Sequence, residues 1–101
     1  MGDLKVFVYH SLTQEEARER VEKLIVEAKE KYKAKIKELN VSWLGNTCNL
    51  KVKVMGFTID AKAISWPDKI VSVTAYLSLP VSLFAGRINI AVREALEKAL
   101  K

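Results

Sequence analysis

The sequence is short of nearly every residue that would announce chemistry. It has a single cysteine, Cys48, and a single histidine, His10. One cysteine excludes an internal disulfide, so no oxidising compartment is implied. One imidazole, one thiol and scattered carboxylates give no ligand pair at a recognised spacing, so no metal and no other cofactor is expected. Four glycines, spread over the whole chain, exclude a glycine-rich phosphate loop. With only Pro67 and Pro80 there is no proline-rich linker, and no internal repeat is present. Long apolar runs are missing too. Nothing approaches the ~18 residues of a membrane span, and Leu77 to Ile90 is broken by Pro80, Gly86 and Arg87. The start of the chain lacks a basic region followed by a long apolar run, so no signal peptide is expected and a cytoplasmic protein is.

What the sequence does have is alternation. Of its 101 residues, 50% are hydrophobic and 29% charged, which suits a single domain over residues 1–101 with one core. From Leu39 to Leu79, apolar residues recur with a period of two in four successive runs. They are Leu39, Val41 and Trp43; Cys48, Leu50, Val52 and Val54; Phe57, Ile59, Ala61 and Ala63; and Val71, Val73, Ala75, Leu77 and Leu79. Such runs are antiparallel strands with one buried face. Asn40, Ser42, Asn49, Lys51, Lys53, Thr58, Asp60, Lys62, Ser72, Thr74 and Tyr76 fall on the other, hydrated face. Gly45-Asn46 and Met55-Gly56 fit tight hairpin turns, and Trp66-Pro67-Asp68-Lys69 fits a type I turn.

An earlier strand is expected where Leu4, Val6 and Val8 alternate with Lys5, Phe7 and Tyr9. Thr13 and Glu16 then form a capping box for a helix running to about Lys33 or Lys35. Its inward stripe is Ala17, Val21, Leu24, Ile25, Ala28 and Tyr32, with Val26 on the opposite side. A last helix can begin at Pro80, with Val81, Phe84, Ala85, Ile88, Ala91, Val92, Ala95, Leu96 and Ala99 as its stripe. Leu83 and Ile90 fall off that stripe, on its outer side. The fold class is α+β, in the order β-α-β-β-β-β-α: an antiparallel sheet with both helices packed on one face. This is a two-layer, reduced helix-grip-like arrangement with the first strand beside the last.

No catalytic constellation emerges. Cys48 lies on the inward side of its strand, as a structural thiol would. His10 marks a strand end, and Asp60 among Lys51, Lys53 and Lys62 reads as cross-strand charge pairing. The net charge of +5 reads as solvating lysines rather than an anion site. An apolar contact surface is the better candidate. Val26, Trp66, Leu83 and Ile90 are its members.

In combination, several short motifs resemble the polyhydroxyalkanoic acid system proteins, a bacterial family associated with polyester storage granules. They are His10-Ser11-Leu12 with Glu16-Ala17-Arg18, then Trp43-x-Gly45, then Leu77-x-Leu79-Pro80. The family pattern carries acidic residues on both sides of the glycine after the tryptophan; here they are Leu44 and Asn46. His10, Trp43, Gly45 and Pro80 are the family-pattern positions, and the family has no established catalytic residues. The resemblance implies a non-enzymatic accessory protein of polyhydroxyalkanoate storage that meets granules or granule proteins through apolar surface. Two other readings stand beside it. One is a module for an apolar acyl-like ligand between sheet and helices. The other is a nucleic-acid binder using Lys51, Lys53, Lys62 and Tyr76 on the open basic face. It ranks last because Tyr76 is the one aromatic assigned to that face. A homodimer is open.

Overall fold

The computed structural model describes residues 2–54, 56–78 and 81–101. Met55, expected in a turn, and Leu79 and Pro80, expected to end the last strand and start the last helix, lie outside the described residues. The chain forms β1 (Gly2–Tyr9), α1 (Gln14–Lys31), β2 (Ile36–Leu44), β3 (Thr47–Val54), β4 (Phe57–Trp66) and β5 (Ile70–Leu77). A 3-10 turn (Val81–Phe84) then leads into α2 (Ala85–Ala99). All strand pairs are antiparallel, in the order β1-β5-β4-β3-β2. The α+β class and the pairing of the first strand with the last are as the sequence implies.

The register shows why the apolar alternation works. Val6, Val73, Ala63, Cys48 and Trp43 form one row across the sheet, and Leu4, Ala75, Ala61, Leu50 and Val41 form the next. A period of two puts both rows on the same face. Ala17 and Val21 of α1, Leu96 of α2 and Leu100 just beyond it close over that face and join these residues in one core, except Val41 on the edge strand, which stays exposed although the alternation placed it on the buried face. Leu77, Val6, Val71 and Cys48 are the largest side chains that are fully buried. Burying a valine or leucine contributes about 1.5–3 kcal/mol, so these rows carry much of the stability.

Local chemistry fixes the connections. Gly45 adopts φ 61° as the first central residue between the paired Leu44 and Thr47, the pattern of a type II′ hairpin turn. Pro67-Asp68-Lys69 joins Trp66 to Ile70, and Lys69 takes the left-handed conformation at φ 63°. That is a type I turn followed by a bulge, which needs a left-handed third residue. The Thr13 hydroxyl accepts the Glu16 amide at 3.1 Å, and the Glu16 carboxylate accepts the Thr13 amide at 3.2 Å. The capping box is therefore formed as expected.

Two boundaries differ from the sequence reading. α1 stops at Lys31, because Tyr32 caps it and the Ile36 amide turns back to the Tyr32 carbonyl at 3.0 Å. Lysines 33 and 35 would suit a helix, but the chain must reverse there to enter β2. The 3-10 turn precedes α2, which runs from Ala85, and Phe84 and Ala91 are exposed rather than part of its inward stripe.

Candidate functional site

The helix-free face of the sheet is less uniform than its sequence suggests. Its middle is polar, with Lys5, Thr74, Lys62, Asn49 and Ser42 in one row and Asp3, Tyr76, Asp60, Lys51 and Asn40 in the next. Toward the Gly45 turn the same face becomes apolar. Phe7, Ser72, Ile64, Thr47 and Leu44 form a row there, followed by Tyr9, Ile70 and Trp66. Phe7, Tyr9, Leu44 and Trp66 are exposed. Tyr76 is thus not the one aromatic on this face. The polar alternation of the strand centres hid the apolar ends, which share the same parity.

Trp66 is held by its own hydrogen bond. Its indole N–H donates to the Ser72 hydroxyl at 2.8 Å, which explains how Ser72 is buried on an otherwise open face. It stands with Phe7 and Tyr9, on the side of the sheet away from the helices. Leu83 and Ile90 belong to the helix layer, so Trp66 does not join them in one patch. Val26 is exposed on α1. At the start of the last helical segment, Leu83, Phe84 and Ile90 are 74%, 54% and 59% exposed.

The basic positions are dispersed. Lys51 and Asp60 face each other at 4.0 Å, both more than half exposed, so the pair is well hydrated and weak. Lys53 and Lys62 are exposed on the same face. The hollows on this face are shallow and open; one is lined by Lys5, Asp60, Lys62 and Tyr76, another by Asn40, Lys51 and Asp60. A third lies between His10 and the end of α2. None of these is enclosed between the apolar sheet face and the helices, where the alternative reading of an acyl-ligand module would place its pocket.

Of the motif residues, His10, Trp43 and Gly45 make anchoring contacts. The Arg18 guanidinium lies 4.3 Å from the Trp43 ring centroid, and its Nε donates to the Gly45 carbonyl at 3.0 Å. One arginine thus ties α1 to the β2–β3 turn by a cation–π contact and a hydrogen bond. Ala17, beside it, is completely buried. His10 ends β1: its Nδ1 accepts the Leu12 amide at 3.0 Å, and its own amide donates to the Lys69 carbonyl at 3.0 Å. Lys69 Nζ in turn donates to the Leu12 carbonyl at 3.0 Å. Nδ1 is an acceptor, so the proton sits on Nε2, which is buried with no hydrogen-bond partner among the described residues. Burial and the neighbouring Lys69 charge hold the imidazole pKa below its usual value. Burial pushes the Cys48 thiol up, away from reactivity. β5 and β4 separate β1 from β3, so His10 and Cys48 do not meet. Among the described residues, no group of three or more histidine, cysteine or carboxylate side chains could hold a metal.

No curated protein matches the chain. The family model described as "Putative polyhydroxyalkanoic acid system protein" matches residues 4–100, nearly the full length, and the chain belongs to that family.

Proposed function

We propose that this protein is a non-enzymatic, cytoplasmic accessory factor of polyhydroxyalkanoate storage that docks on granules or granule proteins through apolar surface. The observation that carries this reading is the trio Leu83, Phe84 and Ile90, each more than half exposed beside a helix whose inward stripe is already used. Three large apolar side chains turned to water on one short segment favour a partner that removes them from it. The family supplies the setting.

The test is co-sedimentation with isolated granules. Leu83→Glu combined with Ile90→Glu is expected to reduce binding at least tenfold while leaving the circular dichroism spectrum unchanged. Both positions are exposed, so carboxylates there remain hydrated in the free protein. Unchanged binding by the folded double variant rejects this surface. Protein-free polyester particles separate direct contact with the polymer from contact with a granule protein.

The nucleic-acid reading gains aromatic residues from the fold but stays behind. Phe7, Tyr9 and Trp66 gather at one end of the bare face, while Lys51 and Lys62 lie in its middle, next to Asp60. Stacking residues and cations are therefore not interleaved along one track.

A further inference from the structure

The two edges of the sheet are finished differently. On β1 the open edge is covered by α2: Asn89 Nδ2 donates to the Lys5 carbonyl at 3.2 Å, and Arg93 donates to the Phe7 carbonyl at 3.1 Å. On β2 nothing comparable occurs. Among the described residues, the Ile36 amide at its start donates to the Tyr32 carbonyl, but no side chain or outside backbone group bonds to the outward amides and carbonyls from Leu39 to Trp43. Because the two-residue turn makes Leu44 and Thr47 a hydrogen-bonded pair, the alternation leaves Leu39, Val41 and Trp43 with backbone groups facing away from β3. These residues also carry the apolar side chains on the helix-bearing face.

β2 also lacks the usual protection of an exposed edge. From Leu39 to Leu44 it has no charge and no proline; the bulge and Glu38 are confined to its beginning. Val41, in the middle, is 41% exposed.

We propose that this edge pairs with a second copy of the chain, antiparallel, about a two-fold axis at Val41. The strand is self-complementary about that residue. Val41 falls opposite itself, Leu39 opposite Trp43, and Asn40 opposite Ser42. Free backbone groups meet free backbone groups, apolar side chains meet apolar ones on the helix side, and amide meets hydroxyl on the other. No like charges come together, since Glu38 falls opposite Leu44. Shifting the axis to Asn40 would set Trp43 against Lys37 and lose this match. The partner is a copy of this chain because one short neutral strand satisfies both sides of the pairing. The result is one continuous sheet with every helix on the same side.

The experiment is sedimentation velocity on the full chain, about 100 µM and below, with circular dichroism of each sample. The wild type is expected to sediment as a dimer. Val41→Lys sets two ammonium groups against each other at the axis and should give a folded monomer; Val41→Glu should do the same. Mixing the two variants should restore a dimer, because opposite charges then meet. That rescue does not depend on whether either variant is slightly destabilised. A wild type that stays monomeric, a Val41→Lys protein that stays dimeric, or a mixture that stays monomeric would each overturn the proposal. Granule binding plays no part in these outcomes.

Discussion

Replacing Gln14 by methionine should destabilise the protein more than replacing Ser65 by alanine, although Ser65 is the more buried of the two at 3% exposure. The two residues clasp each other where α1 begins. Gln14 Nε2 donates to the Ser65 carbonyl at 2.8 Å, and the Ser65 hydroxyl donates to the Gln14 carbonyl at 2.8 Å. The bonds look symmetrical but their losses are not. Gln14 is the first residue of α1, so its carbonyl also accepts an amide one helical turn later. Without the Ser65 hydroxyl that carbonyl keeps a partner, and only an ordinary bond is lost, about 0.5–1.5 kcal/mol. The Ser65 carbonyl lies just past the last β3–β4 pair, Thr47 with Ile64, while the Ser65 amide already donates to Asn46. Removing the Gln14 amide leaves that carbonyl buried and unpaired, at about 1–3 kcal/mol. Methionine keeps the length and the helix propensity of glutamine, so neither confuses the comparison. Urea denaturation with an unchanged m-value reads the difference directly. A melting temperature would fall by about 4–8 °C per kcal/mol in a chain of this size. An equal or larger loss for Ser65→Ala would refute the reasoning.

Other expectations follow from named contacts. Thr13→Ala removes the hydroxyl half of the capping box and should cost about 1 kcal/mol in denaturation. The Thr13 amide and hydroxyl hold the Glu16 pKa down, so the cap is intact above the carboxylate range and weakens as pH falls through it; α1 helicity followed by circular dichroism should show this loss in the wild type and less of it in Glu16→Gln. The imidazole of His10 is also held low, chiefly by burial, so its contribution is present above the usual imidazole range and is lost as pH falls below it. His10→Asn, which keeps an acceptor for the Leu12 amide, should flatten that part of the stability–pH curve; an unaltered curve would contradict the assignment. The Cys48 thiol should resist iodoacetamide in the native protein and react on unfolding, with fast native labelling as the contrary result.

Much of this architecture is legible in the sequence. The row through Val6, Val73, Ala63, Cys48 and Trp43 was visible as simple alternation, because the helices cover one side and water covers most of the other. Thr13 and Glu16 announced the start of α1 through local chemistry alone. Its end was less legible, since Lys33 and Lys35 suit a helix and only the need to start β2 at Ile36 overrides them. The apolar end of the bare face was missed for a different reason. Leu44, Ile64, Trp66 and Ile70 share parity with lysines and asparagines, and only the register puts them side by side. For the family motifs, sequence gave positions but not roles. Arg18 reaching from α1 to Trp43 and Gly45 is a contact between distant segments, and no local pattern encodes it.

The pairing of β1 with β5 has a consequence for how the molecule comes into being. Gly2–Tyr9 finds its partner in Ile70–Leu77, so of these five strands the one made first must wait for the one made last. Until then the hairpins of β2 to β4 can assemble locally, but the row that Val6 completes stays open, and so does the seat for α2. Folding should therefore finish in one late, cooperative step governed by closure of that long loop, and it should be slower than the short turns of the central hairpins would suggest.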